Sequence, residues 1–194
     1  MELLLGDCLM IARTEEVVDF ALKSGFEIAR MVLPDKIIVE ERVVFKCSSC
    51  ENYGRSRSCP PLAPSPDSFR RVLGEYRKVI LLLHRSTVSD DLKPEEVMGA
   101  WREELRRVFE RALAVEHFAF AKGFPLATVI RSGGCNLCDD CDPALPCKKR
   151  SQLRYSECAM GINVLETLKG IGIEVNMPAK KGEKPLLASF LLLE

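Results

Sequence analysis

Seven of the nine cysteines in this 194-residue chain fall in two short segments, 47–59 and 135–147. No other feature constrains the fold as much. Thiols grouped so closely must be presented by loops, and those loops must be held at the ends of regular elements. The first segment, CSSCENYGRSRSCPP, has the spacing Cys47-x2-Cys50-x8-Cys59. The second, GGCNLCDDCDPALPC, has Cys135-x2-Cys138-x2-Cys141-x5-Cys147. An odd total and several Cys-x-x-Cys pairs argue against a disulfide framework and for metal, since thiolates are strong ligands for zinc and iron.

Two x2 steps in succession place three thiolates on one tight turn, which suits three corners of an iron–sulfur cubane. The run is close to the ferredoxin pattern C-x2-C-x2-C-x3-C-P. It departs from it in the last spacing and in Pro146, which precedes Cys147 instead of following it. Structural zinc favours two separated Cys-x-x-Cys knuckles, so a [4Fe–4S] cluster is the first expectation and zinc the alternative. Cys47, Cys50 and Cys59 have no fourth thiol nearby. Cys158 is the better distant candidate and Cys8 the weaker; a histidine, a carboxylate or an open coordination position are the other options. Ligand exchange between the two loops is a further option. The seven loop cysteines plus Cys158 make eight, enough for two sites of four. The expected metal ligands are therefore Cys47, Cys50, Cys59, Cys135, Cys138, Cys141, Cys147 and Cys158, with one or two clusters.

Basic residues accompany both loops: Lys46, Arg55 and Arg57 at the first, and Arg131, Lys148, Lys149 and Arg150 at the second. A four-thiolate cluster is a net anion, so neighbouring cations stabilise it and favour its reduction. Arg55, Arg57 and Lys148 are the candidate cluster-contacting cations; a solvated surface or a docking patch for an acidic partner would explain them equally. Gly133-Gly134 would let backbone amides approach sulfur. Tyr53 could cover the first site. His84 ends an apolar strand and His117 lies off the main helix stripe, and both read as structural. No Ser-His-Asp set, phosphate loop or Walker lysine is present.

Lys plus Arg equals Asp plus Glu at 28 each, so no global field selects nucleic acid or an anionic membrane. The segment MELLLGDCLM lacks the basic leader and long apolar core of a signal peptide, and the apolar runs VILLL and LLASFLLL are far short of a span. A cytoplasmic location follows as the expectation.

The patterning predicts an α/β domain, with α+β as the variant, covering residues 1–194 without an internal linker. A mixed sheet packed with helices would carry the two cysteine loops at strand ends. TEEVVDFALKSGF reads as a helix capped by Thr14 and stopped at Gly25. FEIARMVL and KIIVEERVVF read as a hairpin about Pro34-Asp35, its second strand running into Cys47. A short helix is expected near Ser68 to Glu75, then the buried strand KVILLLHRS. The clearest helix begins at Pro94 and ends at Gly123. Val97, Trp101, Leu105, Val108, Ala112, Val115 and Ala119 form its apolar stripe, and Glu103, Glu104, Arg106, Arg107 and Glu110 its solvated face. PLATVIRS should be a strand, Tyr155 to Lys169 a helix, and GIEVNM and KPLLASFLLLE closing strands.

The motifs IIVEERVVFKC, C-x2-C-x2-Y-G with CPP behind it, CNLCDDC and RYSECAMGINV resemble a prokaryotic family described as predicted metal-binding proteins, a domain of unknown function. The resemblance runs from roughly Val39 to Val175. It implies metal binding, with iron–sulfur chemistry and an anaerobic setting, and supplies no reaction. Cys158 stands where that family would carry a small residue, so the resemblance itself does not make it a ligand.

Three functions are consistent with this pattern. The first is a cytoplasmic iron–sulfur protein exchanging electrons with a redox partner protein, and with neither nucleic acid nor membrane. The second is an enzyme whose Cys47/Cys50/Cys59 site keeps one iron open to substrate. The third is a zinc-stabilised interaction module.

Overall fold

The computed structural model describes residues 2–176 and 183–194, with side chains from Met10 onward in the first stretch. Helix α1 spans Glu2–Lys23, followed by strand β1, Ile28–Val32, and a 3-10 turn at Pro34–Lys36. Helices α2, Glu41–Cys47, and α3, Pro66–Leu73, flank the first cysteine loop. Strand β2, Lys78–Arg85, the long helix α4, Pro94–Ala121, and strand β3, Thr128–Ile130, lead to the second loop. Helix α5, Val164–Gly170, and strand β4, Leu186–Leu193, complete the order.

The four strands form one sheet in the order β1-β2-β4-β3. The α/β layering is as the sequence suggested, but the pairing is antiparallel at every strand junction instead of mixed. β2 and β4 are the central strands and pair along their full length, Lys78 opposite Leu193 and Arg85 opposite Leu186. Both are continuous apolar runs because both of their faces are covered. Ile80, Leu82, Leu191 and Leu193 pack under Val17 and Ala21 of α1 and Val108, Phe109, Ala112 and Val115 of α4. Val79, Leu81, Phe190 and Leu192 face the opposite way, against Phe69 and Leu73 of α3, Leu168 of α5, and Met160 and Ile162. The period-two alternation of side chains thus feeds two cores from the same strands.

Several expectations are corrected by tertiary contacts. Thr14 is no helix cap: α1 runs through it, and its hydroxyl donates to the Met10 carbonyl one turn back at 2.8 Å. The hairpin partner KIIVEERVVF does not pair with β1. Residues 38–40 are taken by the turn at 161–163, through Glu40 N–H to the Gly161 carbonyl and Asn163 N–H to the Ile38 carbonyl, both 2.8 Å. The chain then coils into α2, which leaves Phe45 79% exposed. The helix expected from Tyr155 shrinks to α5, because Gly161 adopts φ +76° and Asn163 caps a new start by accepting from Glu166 N–H. A Cβ on Gly161 would lie 3.1 Å from both the Glu40 carbonyl oxygen and the Pro66 side chain, so this turn requires glycine. Residues 173–176 of GIEVNM form no strand, and Met177 lies outside the described residues.

Glu104 is another correction. Instead of standing on a solvated face of α4 it is 1% exposed. Its carboxylate accepts from the Ser86 hydroxyl at 2.6 Å, from the Thr87 hydroxyl at 2.8 Å, and from the Thr87 amide, with His84 Nε2 3.5 Å away. Burial pushes this carboxyl up, and the Ser86 and Thr87 donors overcome it and hold it below the ordinary range. Such a group contributes stability that is present above the unfolded value of 4.5 and lost as pH falls through the folded one. Glu104→Ala should therefore cost about 1–3 kcal/mol at neutral pH, with the difference from wild type narrowing below pH 4.5. Urea melts across pH 3–7 check both parts, and a pH-independent difference would contradict the assignment.

Candidate metal centres

Cys47 is the last residue of α2, so a helix end delivers the first thiol. Cys50 N–H donates to the Cys47 carbonyl at 3.0 Å, making the x2 step one tight turn. Gly54 N–H then reaches the Pro60 carbonyl at 2.9 Å and folds the far end of the loop back, bringing Cys59 beside the other two. The fourth thiol comes from a distant segment. Arg131, just beyond β3, donates its N–H to the Tyr155 carbonyl at 2.9 Å and accepts from Glu157 N–H at 3.0 Å. This stitches residues 155–158 to the end of the sheet. Cys47, Cys50, Cys59 and Cys158 consequently line one cavity of about 770 Å³, together with Arg42, Lys46, Tyr53 and Asn163.

The second loop starts from Gly133, whose N–H donates to both carboxylate oxygens of Glu157 at 3.1 and 2.8 Å. Cys135, Cys138, Cys141 and Cys147 line a second cavity of about 580 Å³ and also border a small one of about 20 Å³. The eight thiols therefore sort into two groups of four. All eight are free. Within each group they border a shared space and do not meet at a point: among the described residues, no three Cys, His, Asp or Glu side chains converge closely enough for a single ion.

The two groups share a wall. Cys135 N–H donates to the Ser58 hydroxyl at 3.0 Å, and that hydroxyl lies 3.8 Å from Cys59 Sγ. A Cβ on Gly134 would sit 3.7 Å from Cys59 Sγ and 3.4 Å from Asn52 Nδ2, so the backbone passes here without a side chain. Asn52 borders both cavities.

Burial pushes the Cys47 thiol up, and charge on Cys50, Cys59 and Glu157 adds to the shift. Cys158 is raised far more, by burial first and then by Glu157, Cys47 and Cys50. Burial raises Cys135 as well, with Cys141 and Cys138 contributing and Arg131 opposing. Packed thiolates repel one another and lose hydration, and a bound cation relieves both costs. Arg131, fully buried four residues before Cys135, has incomplete hydrogen bonds: its Nε and Nη1 have no partner among the described residues. The donor set and this electrostatic setting fit metal held by thiolates.

The family described as Predicted metal-binding protein (DUF2284) matches residues 30–193. The chain belongs to that family. No curated protein and no solved structure matches it.

In this member of the predicted metal-binding family, the basic residues named from sequence take different places. Arg55 and Lys148 border the second cavity. Arg57, expected beside the first site, reaches across and donates to the backbone carbonyls of Pro143 at 2.6 Å and Leu145 at 3.1 Å. It is a staple between the loops. Tyr53 borders the first cavity, as expected. His84 Nδ1 meets the Gly25 carbonyl at 3.4 Å while its Nε2 lies 3.5 Å from Glu104, and His117 is exposed on α4. The side chain of Cys8 lies outside the described residues. Arg131 is the residue whose importance sequence reasoning understated. An arginine directly following the apolar run ATVI was the available signal, and it was read as loop charge.

No described helix is long and apolar enough to cross a membrane.

Proposed function

We propose that this protein carries two iron–sulfur clusters, each held by four cysteines, and exchanges single electrons with a redox partner protein in a reducing, cytoplasmic compartment. Cys47, Cys50, Cys59 and Cys158 would hold one cluster, and Cys135, Cys138, Cys141 and Cys147 the other. The supporting observation is the sorting of eight free thiols into two fours around adjoining cavities. Two successive x2 steps at Cys135, Cys138 and Cys141 suit three corners of a cubane, whereas structural zinc favours two separated Cys-x-x-Cys knuckles. When bound, such a cluster accepts and returns one electron without moving atoms far.

The chain's own residues do the rest. Arg57 and Ser58 lock the two loops together, which limits rearrangement of the ligand set. Arg42 and Lys46 at the first cavity offer positive charge to an acidic partner surface, whereas Arg55, Arg102 and Lys148 at the second are matched by Asp139, Asp140 and Asp142. The fourth thiol at the first cavity favours electron transfer over an open catalytic iron, because Cys158 supplies the position a substrate would need.

Protein purified without oxygen should be brown and contain iron and acid-labile sulfide in equal amounts. Colourless protein holding only zinc would overturn the iron–sulfur reading and support an interaction module folded by metal.

A further inference from the structure

Arg131 is 0% exposed, the largest side chain so deeply buried in the described structure. Its guanidinium stacks on Phe109, Cζ lying 4.0 Å from the ring centroid. Nη2 donates to Asn136 Oδ1 at 2.7 Å, and Asn136 is itself fixed by donating to the Arg102 carbonyl at 2.7 Å. Nε and Nη1, equally buried, have no hydrogen-bond partner among the described residues. A charge kept out of water needs compensation, and an incompletely bonded arginine at the heart of a fold calls for a specific reason. The compensating charges around it are Cys135 of the second site, Glu157, and Cys59 of the first. The same residue is tied to both groups: its backbone bonds Tyr155 and Glu157, directly before Cys158, and its guanidinium bonds Asn136, between Cys135 and Cys138.

We propose that Arg131 is a positioning residue shared by the two metal centres, its single buried cation offsetting the negative charge of both thiolate sets at once. The proposal rests on the two-centre reading given above. Reduction adds one electron, supplied by an external low-potential donor, to a cluster that is already a net anion. In a medium of low polarity a nearby fixed cation favours that step. Because one cation serves two centres, its removal has to be felt at both. Apolar packing or a local fold role would not produce that signature.

The test compares Arg131→Met and Arg131→Gln, both neutral, with Arg131→Lys, which keeps the charge. Potentials of both clusters are read by dithionite titration followed by electron paramagnetic resonance. In R131M and R131Q both potentials should fall by at least 59 mV, a tenfold shift in each one-electron equilibrium. R131K should hold both within that margin of wild type. Should R131M fail to fold, R131Q, whose amide can still meet Asn136, carries the comparison. A fall at only one centre, no fall at either, or a fall in R131K as large as in R131M overturns the assignment.

Iron and sulfide content of the wild-type protein reads the iron–sulfur proposal separately. If wild type binds zinc instead, that proposal fails while the role of Arg131 is read from metal retention. The neutral variants should then release zinc from both sites to a chelator at least tenfold faster than wild type, and R131K should not. Acceleration at one site alone, or at none, overturns it.

Discussion

Replacing Cys158 by serine should leave the protein with one metal centre in place of two. Cys158 is the one member of the first group that does not come from residues 47–59, and it lines the same cavity as Cys47, Cys50 and Cys59. Serine preserves the shape of the side chain but supplies no thiolate at accessible pH, so three ligands remain. Iron and sulfide per chain should fall by about half, and the lost signal should be that of one centre only. Cys141→Ser should remove the other centre and leave the first. Cys158 sits in a turn and is exposed as a residue, although its sulfur is crowded by Glu157, Cys47 and Cys50, so the metal-free chain should melt within about 0.5 kcal/mol of wild type. A C158S protein that retains its full iron complement would remove Cys158 from the ligand set and reopen the first site to an outside ligand. A loss of both centres would instead show that they assemble as one unit.

Glu116→Ala should destabilise the protein by about 3–5 kcal/mol. Glu116 is buried on α4. Its carboxylate accepts from the Val129 amide at 2.7 Å and from two nitrogens of Arg154, one of them at 2.7 Å. Removing it strands a half-buried guanidinium and a strand amide together. The pair also ties α4 to β3 and to the segment preceding Cys158, the two pieces of backbone that meet at Arg131. Urea melts of metal-free protein measure the cost. Glu116→Gln, which keeps an acceptor for Val129 but not the charge for Arg154, should fall between alanine and wild type. A change below 1 kcal/mol in the alanine variant would contradict a structural role for this pair.

The elements most readable from sequence were those whose pattern and packing agree. VILLL and LLASFLLL are apolar at every position because β2 and β4 each feed two cores. The period of α4 from Trp101 to Ala119 matches the face it lays on the sheet, with Val97 outside that core, and Pro94 opens the helix as expected. The failures occur where a single long-range contact decides. Val43, Val44 and Phe45 carry strand propensity, yet the turn at Gly161 captures the residues before them and α2 forms. Glu104 looked like a surface charge because nothing local reveals that Ser86 and Thr87 arrive above it. At the site, the spacing of Cys135, Cys138 and Cys141 announced a ligand loop unaided. Pairing Cys158 with the first loop rested on arithmetic alone, because the link runs through the end of β3, which no sequence spacing records. The crossing of Arg57 to the other loop was invisible for the same reason.

The mutual fastening of the two loops bears on how the molecule is made. Cys47, Cys50 and Cys59 leave the ribosome well ahead of Cys158, by roughly 100 residues, or on the order of ten seconds of synthesis. During that interval three thiols stand without their fourth companion and without the neighbouring wall that Cys135 completes through Ser58. With the proposed ligand set, loading would be deferred until translation has passed both segments, and the nascent chain would depend on its surroundings to keep those early sulfurs reduced.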